Sequence, residues 1–87
     1  MNGLKHRWEK DHRYYEACLQ QDLFGWVLLK SWGRKGTIRG RTMRVRPDSY
    51  DKGMEMFEAV KKRRKYRGYN LVTYRAPLHQ AEKEIII

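Results

Sequence analysis

Trp26-Val27-Leu28-Leu29-Lys30-Ser31-Trp32-Gly33-Arg34-Lys35-Gly36 is the stretch that decides the fold. From Trp26 to Gly33 it alternates with a period of two. One face would carry Val27, Leu29 and Ser31, the other Trp26, Leu28, Lys30 and Trp32, which is the pattern of a β-strand. Gly33-Arg34-Lys35-Gly36 then sets two cations between two glycines and reads as a turn. Moving back along the chain, Gln21 to Gly25 reads as a hairpin loop in which Gly25 is free to take a positive φ. Tyr14 to Gln20 alternates again, with Tyr15, Ala17 and Leu19 on one side. Two alternating runs around one short loop predict an antiparallel pair.

Moving forward, Thr37 to Arg46 reads as a third strand whose parity breaks in the middle. Ile38 cannot share a face with Met43 and Val45 unless one residue slips, so a bulge is expected at Gly40. Beyond it, Thr42, Arg44 and Arg46 point together to solvent. Pro47 ends the strand, and Asp48 or Ser49 is placed to cap a helix. Tyr50, Gly53, Met54, Phe57 and Val60 follow helical spacing, with Lys and Arg in the last turns and Gly68 just beyond. Gly53 costs about 1 kcal/mol against alanine within a helix, which points to close contact with the sheet. Tyr69 to Arg75 reads as a short last strand. Residues 1–10 are mostly polar, with Trp8 as the only large apolar anchor, and read as an N-terminal arm, residues 11–75 as the domain, and residues 76–87 as a weakly ordered tail. The sum is an α+β fold, an antiparallel sheet of about four strands with one helix packed on one face.

Charge bounds the partners. Twenty Lys and Arg against ten Asp and Glu give +10 over 87 residues, an excess that suits a polyanion. No acid falls between Gly25 and Pro47, where Lys30, Arg34, Lys35, Arg39, Arg41, Arg44 and Arg46 all lie. A second basic run covers Lys61 to Arg67. Such segregation predicts a basic face. The single Cys18 forms no internal disulfide, and with His6, His12 and His79 it has no metal-ligand spacing. No triad, phosphate loop or paired-carboxylate motif is present, so neither an enzyme nor a cofactor is expected. With no stretch apolar enough for a leader or a membrane span, a cytoplasmic protein is expected.

Around Trp32-Gly33-Arg34-Lys35-Gly36, the chain also has Arg13-Tyr14-Tyr15-Glu16 before the motif and Gly40-Arg41-Thr42 after it. An amphipathic helix then ends near Lys65, with Gly68-Tyr69 beyond. From about residue 10 to residue 72 this resembles the WGR domain, a module of eukaryotic poly(ADP-ribose) polymerases and of bacterial proteins. The resemblance implies a curved sheet with the helix on its concave side, and contact with broken DNA ends. It implies that Trp32 stacks on sugar or base while Arg34 makes contacts beside it, with Gly33 and Gly36 shaping the turn. Lys35 stands where the family pattern is usually apolar, which makes the turn more basic. The sequence carries no counterpart of the polymerase catalytic domain, so ADP-ribose transfer is not part of what the resemblance implies.

The expected site is therefore Lys30, Trp32, Arg34, Lys35, Arg39, Arg41 and Arg44, a basic surface around a solvent-facing indole. The expected ligand is DNA, with weak sequence preference and a preference for ends or nicks, in a setting such as DNA repair. Two other readings stay open: a protein-interaction module docking on an acidic partner, and single-stranded RNA binding. A structural role for Trp32, capping a small second core with Trp26 and Leu28, competes with the stacking role. The Lys61–Arg67 run covers nearly every face of its helix, so only part of it can meet any one ligand. Membrane binding ranks last, because that charge sits in one terminal block.

Overall fold

The computed structural model describes residues 3–37 and 40–75. The elements run β1 (Gly3–Lys10), β2 (Arg13–Asp22), β3 (Gly25–Arg34), β4 (Gly40–Val45), α1 (Tyr50–Tyr66) and β5 (Asn70–Arg75). All strand pairs are antiparallel, in the order β4-β3-β2-β1-β5. The first four strands form a meander. The helix then carries the chain from the β4 edge to the opposite edge, where β5 pairs with β1. The fold is α+β, with five strands rather than about four.

The extra strand is the expected N-terminal arm. Residues 3–10 form β1, hydrogen-bonded to β2 on one side and β5 on the other. Leu4, His6 and Trp8 alternate toward the helix, and a histidine in the middle of that series hides it from a search for apolar residues. Trp8 is 4% exposed and His6 5%. The expected tail, residues 76–87, lies outside the described residues.

The core lies between α1 and the sheet, where Trp8, Ala17, Leu19, Leu28 and Phe57 form one buried cluster. Ser49 caps the helix by accepting the Lys52 N–H at 3.1 Å. At the other end Gly68 takes a φ of 82°, and the Gly68 and Tyr69 N–H groups donate to the carbonyls of Lys65 and Arg64. This is a Schellman closure, in which the glycine adopts the left-handed conformation that a side chain resists. Gly53 sits where the helix meets the sheet: a Cβ there would lie 2.8 Å from Leu19 Cδ1 and 3.2 Å from Pro47 Cγ. The helix approaches to that distance because the side chain is absent.

The bulge expected at Gly40 is not seen in the described residues. Register runs without a shift from Gly33↔Gly40 to Leu28↔Val45; Ile38, which motivated the bulge, lies outside them. Gly40 has a different reason. Tyr14, paired with Gly33, extends its hydroxyl to within 2.6 Å of where a Gly40 Cβ would stand. The sheet's irregularity falls instead in β1 against β5, between Arg7 and Trp8.

Candidate nucleic-acid interface

Strand alternation divides the sheet's charged residues between two faces. The face turned from the helix carries Lys5, Arg7, Glu9 and Glu16 from β1 and β2. There the Arg7 guanidinium donates to Glu9 Oε2 at 3.0 Å and to Glu16 Oε2 at 2.8 Å. Lys5 Nζ lies 3.9 Å from Glu16 Oε1, and Lys35 Nζ 3.3 Å from Glu9 Oε1. The hydrogen bond to Glu16, aided by those to Glu9, raises the Arg7 pKa, and Arg7 in turn holds the Glu9 carboxyl below its ordinary range. Lys5, Arg7 and Lys35 on this face are thus paired with acids, whereas Arg44, which β4 adds to it, forms no ion pair among the described residues.

The helix-side face differs. Lys30, Trp32 and Arg34 alternate onto it from β3. Register sets Arg41 of β4 opposite Trp32, Met43 opposite Lys30 and Arg13 of β2 opposite Arg34. A groove of about 400 Å³ runs between β3–β4 and the helix, with Tyr15, Lys30, Val45, Met56, Arg63 and Arg64 among its walls. Among the described residues, Arg13, Lys30, Arg34, Arg41 and Arg63 form no ion pair; those present lie elsewhere, on Lys5, Arg7, Lys35, Arg46, Lys52 and Lys61. Five unneutralised cations thus gather on the Trp32 side.

Trp32 is half-buried. Its indole stacks on the Tyr15 ring, with centroids 5.7 Å apart and planes 10° from parallel. Tyr15 also takes the Arg64 guanidinium at 4.2 Å, and Arg64 lies 4.9 Å from the Tyr69 ring. Trp32, Tyr15, Arg64 and Tyr69 are therefore linked in series, and Tyr15, the ring that supports the indole, is itself a wall of the groove. Burial raises the Tyr15 hydroxyl pKa, against a smaller lowering from Arg64. The supposed second core with Trp26 and Leu28 does not form around Trp32: Trp26 packs on Tyr50 at 4.8 Å, and Leu28 belongs to the main core.

The seven expected site residues do not converge as one set. Lys30, Trp32, Arg34 and Arg41 come together. Lys35 is drawn away: its N–H donates to the His12 carbonyl at 2.7 Å and its ammonium meets Glu9. Arg44, opposite Leu29, belongs to the other face, because residues three apart on a strand cannot share a side. Arg39 lies outside the described residues. Arg46 is exposed, as expected, and at the surface Asp22 clasps it through two hydrogen bonds of 3.0 and 2.8 Å. That clasp holds the Asp22 carboxyl at a pKa of about 2. Gly36 shapes the turn at a φ of 79°, whereas Gly33 is a strand residue paired with Tyr14 and Gly40.

The expected set did not include Arg13 or Tyr15, and Arg63 entered only as one member of the Lys61–Arg67 run. Arg13 was legible, since it alternates with Tyr15 and Ala17 onto the buried side of β2. Arg63 needed the helix to be rotated into place, with Met56 and Val60 on the same flank. Tyr15 was read as a core residue but not as the support for Trp32. Compared with known proteins, the chain matches the family model of the WGR domain over residues 4–75. No curated protein and no solved structure matches it.

Proposed function

The chain belongs to the WGR domain family, and from that premise we propose that it binds DNA with weak sequence preference, favouring ends or nicks. The observation that carries this reading is the set of unpaired cations Arg13, Lys30, Arg34, Arg41 and Arg63 beside the supported indole of Trp32. Cations left without acids are free to take phosphates, and each phosphate neutralised releases counterions from the nucleic acid. The indole offers a flat apolar surface to a base or sugar exposed at a strand end. Tyr15 beneath it means that the platform is already ordered before ligand arrives, which lowers the entropy cost of binding.

Anisotropy titration of blunt, nicked and closed duplexes at several salt concentrations tests the proposal. With about five phosphates engaged, log K should fall against log salt with a slope of roughly −4 to −5. A slope near zero overturns it. A second reading has its own observation: Leu23 and Phe24, at the tip of the β2–β3 hairpin, are 96% and 82% exposed. That apolar tip suits a protein partner. Pull-downs that survive nuclease, together with no shift of labelled duplex, would favour that reading.

A further inference from the structure

The helix carries a second exposed aromatic that the groove does not use. Tyr66 is 82% exposed. It follows Phe57 by two and a half helical turns, so with Phe57 in the core it points directly away from the sheet. Its ring lies in a shallow cleft of about 700 Å³ lined by Ala59, Lys62, Arg63, Tyr66 and Arg67. Among the described residues no acid lines this cleft. The helix's Glu55 and Glu58 lie toward its start and pair with Lys52 and Lys61. Lys62, Arg63 and Arg67 form no ion pair among the described residues, and no guanidinium stacks on the Tyr66 ring there.

Arg63 lines both this cleft and the groove that holds Lys30. It therefore lies between two aromatic stations, Trp32, which stacks on the groove wall Tyr15, and Tyr66 on the outer helix. Cations alternating with exposed rings suit a single strand, because phosphates meet the charges and unstacked bases meet the rings. A duplex offers no free base faces to the second station. A protein partner would find only Ala59 and one ring as apolar surface there.

We propose that Tyr66 is a second stacking platform, which takes a base of a single-stranded overhang leaving the Trp32 groove by way of Arg63. The inference rests on the nucleic-acid reading above and extends it from strand ends in general to ends that carry unpaired bases.

The test compares a blunt duplex with the same duplex bearing an overhang of about ten nucleotides, in DNA and in RNA. Wild type, Tyr66→Ala and Tyr66→Phe are titrated with each, and far-UV circular dichroism checks that the variants fold. Wild type should bind the overhang substrate roughly five- to a hundredfold more tightly than the blunt one. Tyr66→Ala should lose most of that difference and keep its affinity for the blunt duplex, while Tyr66→Phe, which keeps the ring, should behave as wild type. The DNA and RNA arms identify which strand is preferred. If the overhang gives no advantage, or Tyr66→Ala retains it, the Tyr66 platform is overturned while salt-dependent blunt binding leaves the groove standing. Wild type that binds neither duplex nor single strand overturns both.

Discussion

The two faces of one sheet differ more in the availability of their charge than in its amount. On the face turned from the helix, Lys5, Arg7 and Lys35 are held by Glu9 and Glu16, whereas Arg44 forms no ion pair among the described residues. On the helix-side face Arg13, Lys30, Arg34 and Arg41 have no acid among the described residues, and the helix adds Arg63. A count of basic residues along the chain treats these groups alike. A polyanion does not, because a cation already paired must give up its partner before it takes a phosphate. Exposed ion pairs of this kind contribute little to stability, so here they decide chiefly which cations remain free.

The comparison breaks most completely if the helix is loosened. Phe57 is fully buried in the core cluster, and Phe57→Ala should cost about 3–5 kcal/mol of stability, read by urea denaturation. A loss near zero would mean that α1 is not what closes the groove. Next in size is Trp32→Ala, which should weaken binding to nicked or open-ended duplex by about 1–3 kcal/mol. Closed circles should be bound as before, and an equal loss on both refutes the stacking role.

Arg41 and Arg44 share one strand and face opposite ways, so each reports on one face alone. Arg41→Ala should reduce the magnitude of the salt slope by about 0.9, and Arg44→Ala should leave it unchanged. Equal changes would mean that the two faces act as one surface.

A smaller effect tests the core beneath the groove. Burial, then the Lys61 ammonium, lowers the His6 pKa, with Glu58 opposing. The folded chain thus binds this proton more weakly than the unfolded chain does. Stability is fully present above the ordinary histidine value and is lost as pH falls through it toward the lowered one. Melting temperatures from about pH 8 to about pH 5 should show this decline, and it should flatten in His6→Phe. Smallest of all is Lys35→Ala. Because Glu9 and the His12 carbonyl already engage that residue, DNA affinity should hardly move; a loss matching that of Arg41→Ala would place the turn inside the interface.

How much of this was legible depends on the range of the interaction. The runs Tyr14–Gln20 and Trp26–Gly33 showed their faces by alternation, and a cap at Asp48 or Ser49 and the Gly68 closure were readable from residue types a turn apart. β1 was not. Its inward series, Leu4, His6 and Trp8, is apolar only once His6 is buried against Phe57 and Trp8, with ring centroids 5.0 and 5.5 Å away. Its place in the sheet depends on β5, whose paired residues lie more than sixty positions further on, at Asn70 to Arg75.

The α+β class, four of the five strands, the helix and its ends, and the side of β3 on which Trp32 stands were written in the residues themselves. These follow from backbone periodicity and from residues close in the chain, where neighbouring side chains set the preference. Only the tertiary structure decided which cations are free. Glu9 finds Lys35 across 26 residues and Asp22 finds Arg46 across 24. Register between strands, and the turn of a helix laid across them, set those distances, and neither is written in the composition of any one segment.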